Sequence, residues 1–317
     1  MAVTFSILSG NGLKNLLNRM RGKRMSRELV IGTSALILTF RCNLRCKLCC
    51  TSTPHMPIDK QVDFPLESLT AVVDQYFKVA KYIRKLSFGG GEPTLHRQLP
   101  ELIEHTMQYK DQFEVFEIIT NGAAVPRKEV LDMAEKYKDT IFFMIDNYGE
   151  NVSRNADNVV KAFTERGIRH TVRCYHGENA HEGGWVDLGD FAHKHDKEEA
   201  SRIMSKCVIS GKKKERTGVT GSAWEEMLNG EDVFFIPYAA NTNGLIHRCA
   251  RAYSTLQAGA VENTPECFVD IMAEDKTVEE IREQIVDMFT SDHYPACEYC
   301  NGFDETSKRY EPAEQMK

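Results

Sequence analysis

The sequence predicts an α/β protein built on a parallel sheet, open or curled into a partial barrel. Two observations carry that expectation. From residue 33 short apolar runs alternate with amphipathic stretches, at a pitch that gives each crossover one helix. After about residue 176 the pattern breaks, and a smaller region with a hairpin signature follows.

Within residues 1–28, Leu13, Leu16, Leu17 and Met20 recur at helical spacing among Lys14, Arg19, Arg21 and Arg24, which reads as a basic amphipathic helix packing one face. Strands are expected at 34–40, 85–88, 115–119, 141–145 and 169–174, with helices at 66–82, 99–109, 128–137 and 155–166. Leu66, Leu69, Val73, Phe77 and Ala80 give the first of these helices a buried stripe. Residues 233–239 and 245–249, around a turn at 241–244, read as a hairpin. A last helix is expected at 277–289, with Val278, Ile281, Ile285 and Met288 on one face. The polar ending is expected to fray. The chain therefore divides into an extension (1–32), a parallel-sheet unit (33–205), a smaller unit (206–303) and a polar tail (304–317).

A net charge of -6 on 317 residues argues against general nucleic-acid affinity. The apolar run 29–40 is too short for the ~20 residues that span a bilayer. No basic residue precedes the apolar start of the chain, so a signal-peptide layout is lacking and a cytoplasmic location follows by default. Ten cysteines in a chain long enough to bury its own core point to metal ligands or redox groups rather than a disulfide scaffold.

Cys42, Cys46 and Cys49 follow the first strand in the spacing C-x3-C-x2-C, where α/β sheets collect ligands. One loop can present three thiolates to a compact inorganic core, and three ligands leave one iron of a cubane cluster open. A zinc site would want a fourth ligand, for which only the adjacent Cys50 or His55 offers itself. At the end of the next strand stand Gly89, Gly90 and Gly91, which permit close backbone approach to a ligand. Glu92 follows as an acceptor for a ligand ammonium.

These two motifs together resemble the radical S-adenosylmethionine (radical SAM) superfamily over residues 33 to about 175. The resemblance implies a partial (β/α)6 TIM-like barrel. It also implies a [4Fe–4S] cluster on Cys42, Cys46 and Cys49, whose open iron is chelated by SAM. Gly89, Gly90, Gly91 and Glu92 would meet the methionyl end. Thr120-Asn121-Gly122 closes the third strand as in many members, and Asp146-Asn147-Tyr148 ends the fourth where ribose-contacting groups usually sit. Leu48 departs from the family, which usually has an aromatic there against the adenine. The implied chemistry is reductive cleavage of SAM to a 5′-deoxyadenosyl radical that removes a hydrogen atom from a substrate C–H bond, with an electron donor of flavodoxin or ferredoxin type.

Cys249, in the form Gly244-x4-Cys249, and the pair Cys297 and Cys300 resemble the shortened auxiliary-cluster region called twitch, related to SPASM, a small α+β unit with a β-hairpin. That likeness implies a second [4Fe–4S] cluster, with Cys207 as its fourth ligand and Cys267 competing; zinc on the same thiolates is the alternative. Further C-x2-C-x5-C ligands are lacking, so two clusters are the expected limit. Cys50, Cys174 and Cys267 are candidate hydrogen-atom donors to a substrate radical, Cys174 being otherwise a buried small hydrophobe. Arg173 is a candidate partner of the SAM carboxylate or a member of an ion pair. His176, His181, His193 and His195 suggest a third metal site or, with Gly177, Gly183, Gly184 and Gly189, a loop covering substrate.

Family members of this shorter layout include epimerases, dehydrogenases and dehydratases acting on small or carbohydrate-type substrates. No leader-binding region is recognisable ahead of residue 29, which favours that reading over modification of a peptide precursor. A non-catalytic iron–sulfur binding protein is the remote alternative.

Overall fold

The computed structural model describes residues 27–178, 180–181, 185–209 and 233–317. The basic helix expected over 13–20, the segment 212–216, Gly183 and Gly184 lie outside the described residues. Six parallel strands form the sheet: β1 (Glu28–Thr39), β2 (Ala80–Gly90), β3 (Phe113–Thr120), β4 (Ile141–Asn147), β5 (His170–Cys174) and β6 (Val233–Thr242). Two short antiparallel strands, β7 (Leu245–His247) and β8 (Val269–Asp270), extend it, and the order is β5-β4-β3-β2-β1-β6-β7-β8. The α/β class and the parallel core match the expectation. The sixth parallel strand, however, lies against β1 and not beyond β5.

Helices α1 (Leu66–Val79), α2 (Leu99–Thr106), α3 (Lys128–Lys136) and α4 (Ala156–Glu165) make the first four crossovers, and α5 (Lys197–Lys206) follows β5. α6 (Ala252–Gln257) and α7 (Val278–Thr290) come after the hairpin, α7 opening on a reciprocal capping box between Thr277 and Glu280. β1 is buried on both faces along most of its length, as a central parallel strand must be. Of its two fully buried hydroxyls, that of Ser34 meets the Tyr76 hydroxyl at 2.8 Å and that of Thr39 donates to Asp63 Oδ1 at 2.6 Å. On α1, Leu69, Val72, Val73, Tyr76 and Phe77 face the sheet.

Two elements depart from the sequence reading. Ala80 is not the end of the α1 stripe. The helix stops at Val79, and Ala80 opens β2 opposite Leu29, so strand pairing overrides the helical periodicity of residues 80–82. The polar ending does not fray: Ala313 is fully buried, and Gln315 forms a β-bridge with Cys46. Among the described residues no helix is long and apolar enough to cross a membrane.

Candidate active site and second cysteine cavity

β1 ends at Thr39, and the chain turns at Phe40, whose buried ring stacks on Tyr253 at 5.3 Å and meets Phe64 edge-on. That anchor fixes the start of the loop carrying Cys42, Cys46 and Cys49. The end of β2 is laced to the same place: Gly91 N donates to Thr39 O at 2.7 Å, and Glu92 N to Arg41 O at 2.9 Å. A Cβ on Gly90 would lie 2.3 Å from Thr39 O, and one on Gly91 2.2 Å from Arg41 O. Gly90 also has φ +117°, which disfavours any side chain. A Cβ on Gly89 would meet nothing within 4 Å. Two of the three glycines thus serve the backbone lock, while Gly89 faces open space.

Each loop sulfur has a neighbouring polar group. Leu44 N donates to Cys42 Sγ (3.4 Å), Thr51 Oγ1 lies 3.1 Å from Cys49 Sγ, and Gln315 Nε2 donates to Cys46 Sγ (3.3 Å). Burial pushes the Cys42 thiol up to about 12 and Cys46 up to about 11. Burial dominates at both sulfurs, which suit a bound metal core, since a coordinated metal deprotonates a thiol outright. The donor set, three thiols from one loop, fits a cluster with one open iron, although the sulfurs are not drawn together as the ligands of a single ion.

Around this loop, several expected ligand contacts become internal ones. Glu92 is 2% exposed; its Oε1 accepts from Thr94 N and Oγ1, and its Oε2 from Asn121 N. Its carboxylate ties β2 to β3, and burial raises its pKa. Asn121 sends its side-chain amide to Asn43 Oδ1 (2.8 Å) and Cys42 Sγ (3.7 Å), bracing the cysteine loop. Asp146 is gripped by Arg173 through Nε (2.6 Å) and Nη2 (2.9 Å), and Tyr148 OH adds a third bond. Burial alone would lower the Arg173 guanidinium, but its bonds to Asp146 offset this and hold it raised. This is the ion pair expected as one of the two roles of Arg173. Asn147 Oδ1 accepts from Gly149 N in a tight turn. Beside Cys42 opens a pocket of about 560 Å³, edged by Arg41, Arg97 and Arg127.

The structure brings Cys207, Cys249, Cys297 and Cys300 to the wall of one cavity of about 200 Å³. Cys267 is not part of that wall. It is fully buried in the hydrophobic core. Burial pushes the Cys249 thiol up to about 12 and raises Cys297 and Cys300. Arg251 also lines the cavity. It is 6% exposed, its Nε has no partner, and it donates to Ser52 Oγ and Gly189 O. A buried cation with an unused donor beside four thiols fits an anionic thiolate-bound group. Cys50 opens onto this same cavity, although it is adjacent to Cys49. Cys174 is half-buried, its thiol 3.4 Å from His176 O.

Sequence reasoning missed Arg251 and Gln315. The first carried a faint signal, a charge two residues after Cys249. The second carried none, because its partner lies at the other end of the chain. The rings of His193 and His195 are 5.0 Å apart, but among the described residues no three His, Cys, Asp or Glu side chains are grouped to hold a metal ion.

Residues 36–192 match the family model of the Radical SAM superfamily, just under half of the chain. A tungsten-containing aldehyde ferredoxin oxidoreductase cofactor-modifying protein of Pyrococcus furiosus is 30% identical over 126 residues, 39% of this chain and 32% of that protein. A GTP 3′,8-cyclase of Helicobacter pylori is 26% identical over 145 residues, 45% of this chain and 41% of that protein. The chain thus matches well under half the length of these curated relatives. Among solved structures, BtrN in complex with AdoMet and 2-DOIA overlaps with a TM-score of 0.46 at 12% identity, over 89% of this chain and 97% of that one. Streptococcus suis SuiB bound to its precursor peptide SuiA overlaps with a TM-score of 0.45 at 14% identity, over 83% and 69%.

Proposed function

We propose that this protein is a radical SAM enzyme that takes a hydrogen atom from a C–H bond of a small-molecule or carbohydrate-type substrate and so epimerises, dehydrogenates or dehydrates it. Cys42, Cys46 and Cys49 hold a [4Fe–4S] cluster, and SAM lies over the open face of Gly89. The observation that carries this reading is the lock between the cysteine loop and the end of β2, made by Gly90 and Gly91. When bound, the reduced cluster supplies the electron that cleaves SAM to methionine and a 5′-deoxyadenosyl radical.

The protein's own groups orient and enclose. Asn121 holds Cys42 and Asn43, Glu92 holds Asn121, and the Asp146–Arg173 pair stiffens the rim of β4 and β5. Cys207, Cys249, Cys297 and Cys300 hold a second cluster, with Arg251 as the compensating cation. Cys50 and Cys174 are the accessible thiols left to return a hydrogen atom. An acidic one-electron donor of flavodoxin or ferredoxin type approaches Arg41, Arg97 and Arg127 beside Cys42. The short layout of the second cysteine set favours the small-substrate reading.

Anaerobically reconstituted protein is expected to carry about eight irons, and about four if only the first site fills. Reduction in the presence of SAM is expected to release 5′-deoxyadenosine, and Cys46→Ala to abolish it; release that persists in the variant sinks the assignment. Deuterium entering product from heavy water marks epimerisation, whereas an oxidised product without it marks dehydrogenation.

A further inference from the structure

We propose that Gln315 is a positioning residue for the cluster on Cys42, Cys46 and Cys49, raising its reduction potential through an N–H···S bond to Cys46 while residues 313–316 cover the loop. The inference rests on the reading of those cysteines as cluster ligands.

Residues 314–316 lie antiparallel to the cysteine loop. Lys47 N donates to Glu314 O at 2.7 Å, Met316 N to Arg45 O at 2.8 Å, and Cys46 and Gln315 are bridge partners. The Gln315 amide has its orientation set by its neighbours. Arg45 N, which can only donate, meets Oε1 at 2.8 Å, so the nitrogen must face the other way. That nitrogen donates to Ala313 O at 2.7 Å and to Cys46 Sγ at 3.3 Å, which uses both of its hydrogens. Ala313 sits at φ +54° and is fully buried, a conformation that an alanine keeps only where its surroundings impose it. The Lys47–Glu314 ion pair is exposed on both sides and adds little, so the backbone pairing holds the segment.

Hydrogen bonds to cluster sulfurs and the exclusion of solvent both set a cluster's potential. The reduced state carries more negative charge on its sulfurs, so a donor aimed at Cys46 stabilises it more than the oxidised state. With the donor the cluster is easier to reduce.

The test is an anaerobic redox titration followed by electron paramagnetic resonance on wild type, Gln315→Met and Gln315→Glu, with iron counted in each. Gln315→Glu keeps an acceptor for Arg45 N and replaces the donor with a carboxylate oxygen. Both variants are expected to hold as much iron as wild type and to shift the midpoint of the SAM-responsive signal to more negative potential, Gln315→Glu further. The SAM-indifferent signal is expected to stay in place, which a general loosening of the fold would not allow. A variant lacking residues 312–317 is expected to lose its SAM-responsive cluster to air faster than wild type; an equal lifetime overturns the covering role. Full iron with an unmoved midpoint in both variants overturns the tuning role and leaves the cluster assignment standing. Wild type without iron on these cysteines overturns both.

Discussion

At the scale of single residues, His247 shows how a buried group fixes its own chemistry. Its Nδ1 lies 2.7 Å from Cys249 O, which can only accept, so Nδ1 carries the proton and Nε2 accepts from Thr242 Oγ1 at 2.9 Å. Burial lowers its pKa to about 4 from 6.5, so the folded state binds its proton later than the unfolded chain as pH falls. The protein is expected to lose stability on acidification from about pH 6.5 to about 4, on the order of 3 kcal/mol for this group. Denaturant titrations at both ends of that window, on wild type and His247→Gln, check it; an equal loss in the variant assigns the effect elsewhere. The glycines make a second contrast. Gly91→Ala, whose Cβ would press on Arg41 O, is expected to cost about 1–3 kcal/mol and to lower cluster retention. Gly89→Ala has room and is expected to melt as wild type does while binding SAM more weakly. Thermal melts and SAM titrations separate the two.

At the scale of elements, the β6–β7 hairpin and the turn before α6 carry Cys249 to the cavity that the end of α5 and the segment after α7 reach with Cys207, Cys297 and Cys300. Cys207→Ser is therefore expected to lower iron content by about four per chain, the content of one cubane, and Cys267→Ser to leave it unchanged. Iron and sulfide analysis after reconstitution decides between them. The hairpin and the strand–helix alternation were legible because their patterns are local. The C-x3-C-x2-C spacing and the three glycines were legible because few other structures need them. The surroundings of Arg173 and Cys267 were not. Whether a guanidinium meets a ligand or Asp146, and whether a thiol meets a cavity or the core, depends on which strands and helices become neighbours. The β2 start was obscured because Ala80 and Ile83 continue the apolar spacing of α1 before they pair with β1.

At the scale of the whole molecule, both cysteine sets depend on adjacent strands. The first leaves the end of β1, and the second is carried by the hairpin that begins with β6. Ser254 Oγ donates to Thr51 O, and Arg251 to Ser52 Oγ, so the two regions are tied directly. A chain ending at residue 209 would leave one long edge of β1 unpaired and is expected to aggregate rather than fold, a result that size-exclusion chromatography reads directly. Soluble monomer with protected β1 amides would contradict this. The pairing of Glu28 with Val233 also has a temporal side. During synthesis the central strand emerges first, and its second neighbour follows roughly 200 residues later, so the thiols at its end wait beside an open sheet edge. Cluster insertion into a half-made chain would meet a loop without its eventual cover.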